Sequence, residues 1–390
     1  MSETRLRILS SLSEITPEAW DACAAGGAAR PEPFVSHAFL QALEESGSAA
    51  PRTGWAPQHL VLDGAEGVRA VAPAYLKSHS RGEYVFDQGW AEAYEQAGGR
   101  YYPKLQVAVP FTPVTGRRLL VRATADEAEA GTLLAAGLVE LTRQHRASSA
   151  HVTFATKGEW EHLARLGFLQ RMDQQFHWTN KDYGSYEDFL GELASRKRKA
   201  LRRERREALA SGITIEWLTG TAITEAAWDA FFAFYMDTGA RKWGRPYLNR
   251  PFFSLLGERM ADQVLLVMAK REGRYIAGAL NLIGASTLYG RYWGAVEDHP
   301  FLHFEVCYHQ AVDYAIAHRL AVVEAGAQGE HKLARGYLPT PTYSAHYIAD
   351  PALRRGVAQY LERERAYVEE AGADLAELGP FRRGELQEGD

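Results

Sequence analysis

Cysteine is scarce: Cys23 and Cys307 are the only two in 390 residues. They allow at most one long-range pair, which excludes a small fold held by a disulfide framework. Long hydrophobic runs are also missing. No window approaches the ~20 apolar residues of a membrane-spanning helix, and "VLLVMA" at 264–269 has only the length of a core strand. The opening "MSETRLRILSSLSEITPEAW" holds no apolar stretch of signal-peptide length. The expectation is a cytoplasmic protein with reduced thiols. Three catalytic signatures are absent as well. Without a G-x-S-x-G elbow, serine-hydrolase chemistry is not expected. Without a G-x-x-x-x-G-K-[ST] loop or an H-E-x-x-H pair, neither ATP-driven nor zinc-protease chemistry is expected.

What is present suits a globular chain: 46% hydrophobic and 24% charged residues, with a length that implies two domains or one double domain. The net charge of −5 is unevenly spread. Between Arg196 and Arg206, "RKRKALRRERR" holds eight basic residues and one acid, a local +7 that leaves −12 for the remainder. An acidic body repels polyanions, so a phosphate-bearing partner such as nucleic acid is expected only through 196–206. The segment reads as a helix with a narrow stripe of Leu193, Leu201 and Ala208. It is either a solvated linker helix docked by that stripe or a rail for phosphates.

The chain repeats itself. Residues 130–178 and 305–348 each read as a helix at 3.6-residue spacing, a strand, a short helix or turn, and a final strand. His162-Leu-Ala-Arg-Leu-Gly-Phe168 echoes His331-Lys-Leu-Ala-Arg-Gly-Tyr337, and the shared order points to a duplicated unit. Strand meanders are predicted at 59–77 and 263–296. The polar stretch "NKDYGSYEDF" marks a boundary, giving domains at 1–185 and 186–390 with the basic helix at 190–210.

Three stretches concentrate chemistry. In "LYGRYWGAVEDHPFLHFEVCYHQAVDYA" (288–315), a strand bearing Arg291 and Trp293 runs into a helix opened by Pro300. There Phe304, Cys307, Ala311 and Ala315 follow core spacing, with Val306, Gln310 and Asp313 on other faces. Glu305 lies near the apolar face, where burial suits a carboxylate to act as a base; alternatively it complements the helix dipole. His303 with Cys307, and Glu305 with His309, are each four residues apart, but the pairs lie on different faces and no metal is expected. The second stretch, "GAQGEHKLARG" (326–336), follows Glu324. Comparison with its first-half counterpart assigns the shared residues, Arg335 included, to scaffold and leaves Glu324, Gln328, Glu330 and Lys332 as its distinctive chemistry. The third, 75–120, interleaves His79, Glu83, Tyr102 and Lys104 with aromatics, as either a binding wall or a well-packed excursion.

Together "KSHSRGEYVFDQGWAEAY", "YYPKLQVAVPFTPVTG", "GRYWG", "LHFEVCYHQAVDYA" and "EAGAQGEHKLARGYLP" resemble the bacterial family of N-acyltransferases labelled peptidoglycan biosynthesis/recognition. The resemblance runs over roughly 20–370. That family is related to Fem-type aminoacyltransferases and GNAT acetyltransferases. It implies an α+β, tandem GNAT-like fold of two similar halves with mixed, mainly antiparallel sheets. Arg291-Tyr-Trp-Gly294-Ala-Val296 stands where GNAT enzymes carry Q/R-x-x-G-x-G/A for coenzyme A, but Val296 replaces the final small residue.

The resulting expectation is an N-acyltransferase moving an acyl group from an acyl-CoA or acyl-thioester to an amine of a small molecule or peptide. No tightly bound cofactor is expected, with acyl-CoA at most a co-substrate. The alternatives are a Fem-type transferase fed by aminoacyl-tRNA, which the basic helix suits, and a non-catalytic binder of cell-wall-like peptides. Such a site, built mainly by the second half and walled by first-half loops, needs a base, oxyanion donors and an acid. Glu305 and Glu324 are the candidate bases, with His331 in an orienting role, and Tyr308 is the candidate acid. Arg291 and Lys332 are expected to hold phosphate or carboxylate, and Trp293 and Tyr102 to shape the pocket.

Overall fold

The two glycines of "DGAEGVR" close a hairpin in which His59–Gly64 pairs antiparallel with Gly67–Ala72, and Gly67 takes a φ of 100°. Only glycine adopts that backbone without strain. The computed structural model describes residues 4–242, 246–326 and 329–382. It divides the chain into two units, Met1–Asp173 with Pro341–Glu369, and Gln174–Thr340 with Glu370–Asp390. The sequence placed a single boundary at 185/186. The chain passes from one unit to the other within the strand Leu169–Thr179, returns within the strand Leu338–Ile348 and crosses again within the helix Pro351–Glu377. A composition shift in the loop beyond a strand marks the loop; the packing of the strand itself leaves no such mark.

In the first unit, Arg5–Leu9 and Leu120–Val121 extend the hairpin to four antiparallel strands. A second, mixed sheet runs Trp55–Pro57, Ala74–Lys77, Lys104–Val107, Ser149–Ala155 and the end of Leu338–Ile348, with parallel pairing between the third and fourth. The helix Glu127–Gln144 begins at Asp126, whose side chain accepts the Glu129 N–H at 2.9 Å. Its Leu134, Leu138 and Leu141 recur at helical spacing and are buried with Leu60, Val107 and Val152. Each such side chain contributes about 1.5–3 kcal/mol of hydrophobic stabilisation.

The second unit is one sheet: Thr214–Leu218, Val264–Arg271, Arg274–Ile283, Thr287–Ala295, Val322–Glu324 and the end of Leu169–Thr179. Thr287–Ala295 and Val322–Glu324 run parallel but pair only over Thr287, Leu288 and Tyr289. Beyond that point the two strands part. Helices Glu225–Lys242 and 302–317 pack against the sheet, the latter interrupted by a π-helical turn at Glu305–His309.

The π turn corrects the helix-face reading. Around the turn Val306 is buried in the core while Phe304 and Cys307 are only partly covered, and beyond it Ala311 and Ala315 keep the expected burial. The repeat is structural. Leu163 and Leu333 are both buried, Gly167 and Gly336 take φ of 89° and 84°, and the adjoining Phe168 and Tyr337 are buried. No helix among the described residues is long and apolar enough to cross a membrane.

Candidate active site

Where Thr287–Ala295 and Val322–Glu324 diverge, a cavity of about 100 Å³ is lined by Asn281, Gly290, Arg291, Trp293, His303, Cys307 and Tyr308 among others. A second cavity of about 280 Å³ shares Trp293 and His303 and adds Glu297, Asp298 and His299. The helix 302–317 supplies one wall, and the sheet supplies the other.

Arg291 and Glu324 form an ion pair across the divergence, both side chains 2% exposed. Arg291 Nη1 also donates to the Gly290 carbonyl at 2.9 Å. His177, on the neighbouring strand, brings Nε2 to 3.6 Å from Glu324 Oε1. Burial holds this imidazole below its ordinary pKa against the opposing pull of Glu324, keeping it neutral. Lys332 is buried with Nζ donating to the Gly326 carbonyl at 3.0 Å. Burial, reinforced by the Arg291 charge, lowers its pKa to about 8.

Tyr308 and His331 make a third element: the phenol oxygen and His331 Nε2 lie 3.0 Å apart. Burial pushes the Tyr308 pKa up, so it remains a hydroxyl donor at neutral pH. His331 is exposed and links that buried hydroxyl to solvent. A proton leaving Tyr308 therefore has a path out, which suits an acid that must be reprotonated each cycle.

Thus Arg291, Glu324, Tyr308, His331, Lys332 and Trp293 all belong to the second unit, around one strand divergence. Gln328 lies outside the described residues, as does the side chain of Glu330, whose backbone opens the 3-10 turn Glu330–Arg335. Glu305 stands elsewhere. It is fully buried and held by Arg205 (Nη2 to Oε1 2.8 Å, Nε to Oε2 3.1 Å) and by Gln310 at 2.7 Å. There its carboxylate oxygens are taken up by Arg205 and Gln310, and the residue ties the helix 302–317 to the basic helix.

Burial and ion pairs account for part of the basic run. Ser195–Ala208 buries Leu201, Glu204 and Ala208. Arg205 also pairs with Asp313 at 2.6 Å, Arg202 pairs with Glu187, and Arg203 with Glu207 at 2.6 Å. Glu204 receives Arg335 through both oxygens (2.8 and 2.6 Å) and His309 at 2.8 Å. Arg335 is thereby tied to the basic helix. His309 directs its other nitrogen to Tyr186 at 2.6 Å, which commits both ring nitrogens and sets it apart from Glu305 as a ligand pair. Arg196, Lys197, Lys199 and Arg206 remain on the exposed side.

The first-half candidates form a separate network within the first unit. Lys104 is fully buried and donates to Ser80 at 2.8 Å, to Glu83 at 2.6 Å and to Asp87. Tyr102 meets Ser80 at 2.8 Å, and Tyr101 donates to Asp87 at 2.7 Å. His79 donates from Nε2 to the Thr53 carbonyl at 3.0 Å and accepts the Arg81 N–H at 3.1 Å. Glu83 and Lys104 are thus a buried pair rather than the surface of a wall: charges withdrawn from water persist only when paired.

Sequence reasoning missed His177, Asn281 and the roles of Arg205 and Glu204. Asn281 had a signal, a lone amide in the apolar strand "YIAGALNLI". His177, inside "QQFHWT", had none.

Comparison with known proteins supplies the context. The sequence matches the FemAB-like family, described as peptidoglycan biosynthesis/recognition, over residues 11–383. No curated protein sequence matches significantly. Among solved structures, FemX is similar with a TM-score of 0.55 and 14% identity, covering 88% of this chain and 98% of FemX. L-PGS from Bacillus licheniformis is similar with a TM-score of 0.51 and 9% identity, covering 82% of this chain and 95% of that one. A tandem GNAT protein of the clavulanic acid biosynthesis pathway aligns at a TM-score of 0.47 and 14% identity, over 90% of this chain and 99% of that one. The chain has the tandem GNAT-like fold: α+β, with two repeated halves and mixed sheets.

Proposed function

Because the chain belongs to the FemAB-like family, we propose that it is a transferase that moves an acyl or aminoacyl group to an amine of a peptide related to cell-wall precursors. The observation that carries this reading is the parting of Thr287–Ala295 from Val322–Glu324, which opens the sheet into a cavity bordered by Arg291, Tyr308 and Trp293. An acyl carbonyl entering there lies beside the Arg291 and Tyr308 donors. As the amine adds to the carbonyl and the C–O or C–S bond breaks, Tyr308 gives its proton to the departing alkoxide or thiolate and is restored through His331. The Glu324–His177 pair accepts the proton of the attacking amine; His177, held neutral, is the group able to take it.

Two donors fit this chemistry, an acyl-CoA and an aminoacyl-tRNA. The exposed Arg196, Lys197, Lys199 and Arg206 favour the polyanionic tRNA, since they are cations the fold leaves facing solvent. The test is to incubate the protein with charged tRNA or acyl-CoA and lysine-containing peptides, and to follow peptide mass. Mass gain from either donor supports transfer, and mass gain from tRNA that is abolished by changing those four residues to Gln supports the tRNA route. No mass gain from any donor, with a folded protein, overturns the reading and leaves a binding role.

A further inference from the structure

Asn281 sits at an irregularity in strand pairing, between Leu280 and Asn281, where Arg274–Ile283 faces Thr287–Ala295. It is 1% exposed and lines the 100 Å³ cavity. Its Nδ2 donates to the Leu265 carbonyl at 3.3 Å and to the Ala279 carbonyl at 3.5 Å, which fixes the orientation of the amide. Oδ1 is consequently the atom left over, buried and with no hydrogen-bond partner among the described residues. Buried acceptors are almost always satisfied, so an unsatisfied one at a cavity wall marks a place where a ligand donor belongs.

The residue across from it sharpens the point. Asn281 is in register with Gly290, and a Cβ added at Gly290 would stand 3.2 Å from Asn281 Oδ1 and 3.6 Å from the Glu324 carbonyl oxygen. The missing side chain thus leaves open a small space bordered by Asn281 Oδ1 and by the Glu324 carbonyl, which already accepts Arg291 Nη1 at 3.4 Å and has a second lone pair to offer. One donor group carrying two or more hydrogens suits both.

We propose that this cradle is an amine subsite, in which Asn281 Oδ1 and the Glu324 main-chain carbonyl receive the N–H hydrogens of a primary amine on the ligand. The proposal rests on the transferase reading only for which substrate owns that amine: the α-amino group of an aminoacyl donor, or the nucleophilic amine of the acceptor. Binding itself requires no turnover, so failure of the subsite and failure of the transferase reading are separable.

The experiment is calorimetric or NMR titration of the full chain with three probes: L-alaninamide, n-propylamine and propionamide, which has no amino group. Three variants accompany the wild type. Asn281→Leu removes the acceptor, Gly290→Ala fills the space, and Asn281→Asp keeps an acceptor and adds charge. At least one amine is expected to bind the wild type while propionamide does not. Affinity is expected to fall about tenfold or more in Asn281→Leu and Gly290→Ala, and to be kept or raised in Asn281→Asp. Selective binding of alaninamide assigns the subsite to the donor, and selective binding of propylamine assigns it to the acceptor. Equal binding of amines and propionamide, an unchanged affinity in Gly290→Ala, or no amine bound at tens of millimolar overturns the proposal. Should Asn281→Leu fail to fold, the Gly290→Ala and Asn281→Asp outcomes decide it.

Discussion

Arg205 reaches from the last turn of the basic helix to grip Glu305, a carboxylate with no exposed surface at all. This pair joins the helix to the π turn that presents Cys307 and Tyr308 to the cavity. The most basic stretch of the chain is thereby tied to the wall of its candidate site.

Removing one member of such a pair strands the other. Arg205→Ala is expected to destabilise the protein by about 3–5 kcal/mol, whereas Arg206→Ala, one position along and exposed, should change it by less than about 0.5 kcal/mol. Urea denaturation of both variants checks this. Equal midpoints would show that the Glu305 pair is dispensable.

Gly294, the glycine of "RYWGAV", has a packing role. A Cβ there would lie 2.1 Å from the Phe234 carbonyl oxygen, which belongs to the helix Glu225–Lys242 packed on this strand. Backbone cannot yield as a side-chain tip can, so Gly294→Ala should cost about 1–3 kcal/mol or more. A thermal melt unchanged by this substitution would contradict the close packing.

The first unit should be acid-sensitive. His151 and His346 face each other through Nδ1 atoms 2.7 Å apart, both buried. Burial, then the nearby Lys104 charge, lowers the His151 pKa from 6.5 to about 3, and burial lowers that of His346 too. A histidine with a depressed folded pKa is protonated first in the unfolded chain. Stability is therefore intact above about pH 6.5 and declines as pH falls toward 3, by up to about 1.4 kcal/mol per pH unit for each proton. Hydrogen exchange of the strand Ser149–Ala155 between these pH values measures the slope, and His151→Gln should flatten it. A slope the same in both proteins would refute the assignment.

Tyr308→Phe separates chemistry from packing. It keeps the ring and deletes the hydroxyl that meets His331. Turnover of a verified donor–acceptor pair should fall about 10²–10⁴-fold with KM nearly constant. His331→Gln should have a smaller effect, since solvent can replace an exposed relay. Full activity in Tyr308→Phe would remove it as the acid.

The duplicated half was legible because two copies of one local pattern reinforce each other: Leu-Ala-Arg and a glycine before an aromatic recur where each repeat turns into its final strand. The residues at the strand divergence were legible through their type, since Arg291, Glu324, Tyr308 and Lys332 are polar groups set in apolar surroundings. The surroundings of Glu305 were less legible. Sequence shows a carboxylate on a buried face, but its partner Arg205 lies 100 positions away.

The sequence by itself determined the repeat, the meanders and the positions at which polar groups interrupt the core, because hydrophobic periodicity and turn chemistry act over a few residues. The tertiary structure alone decided how those charges are used. It placed Arg205 on Glu305 and Glu204 on Arg335, and it left the exposed cations of the basic helix toward solvent. It also opened the sheet beside Asn281 and Glu324. The energy of a charge or a buried amide depends on its partners and its access to water, and both are set by segments that meet only when the chain has folded.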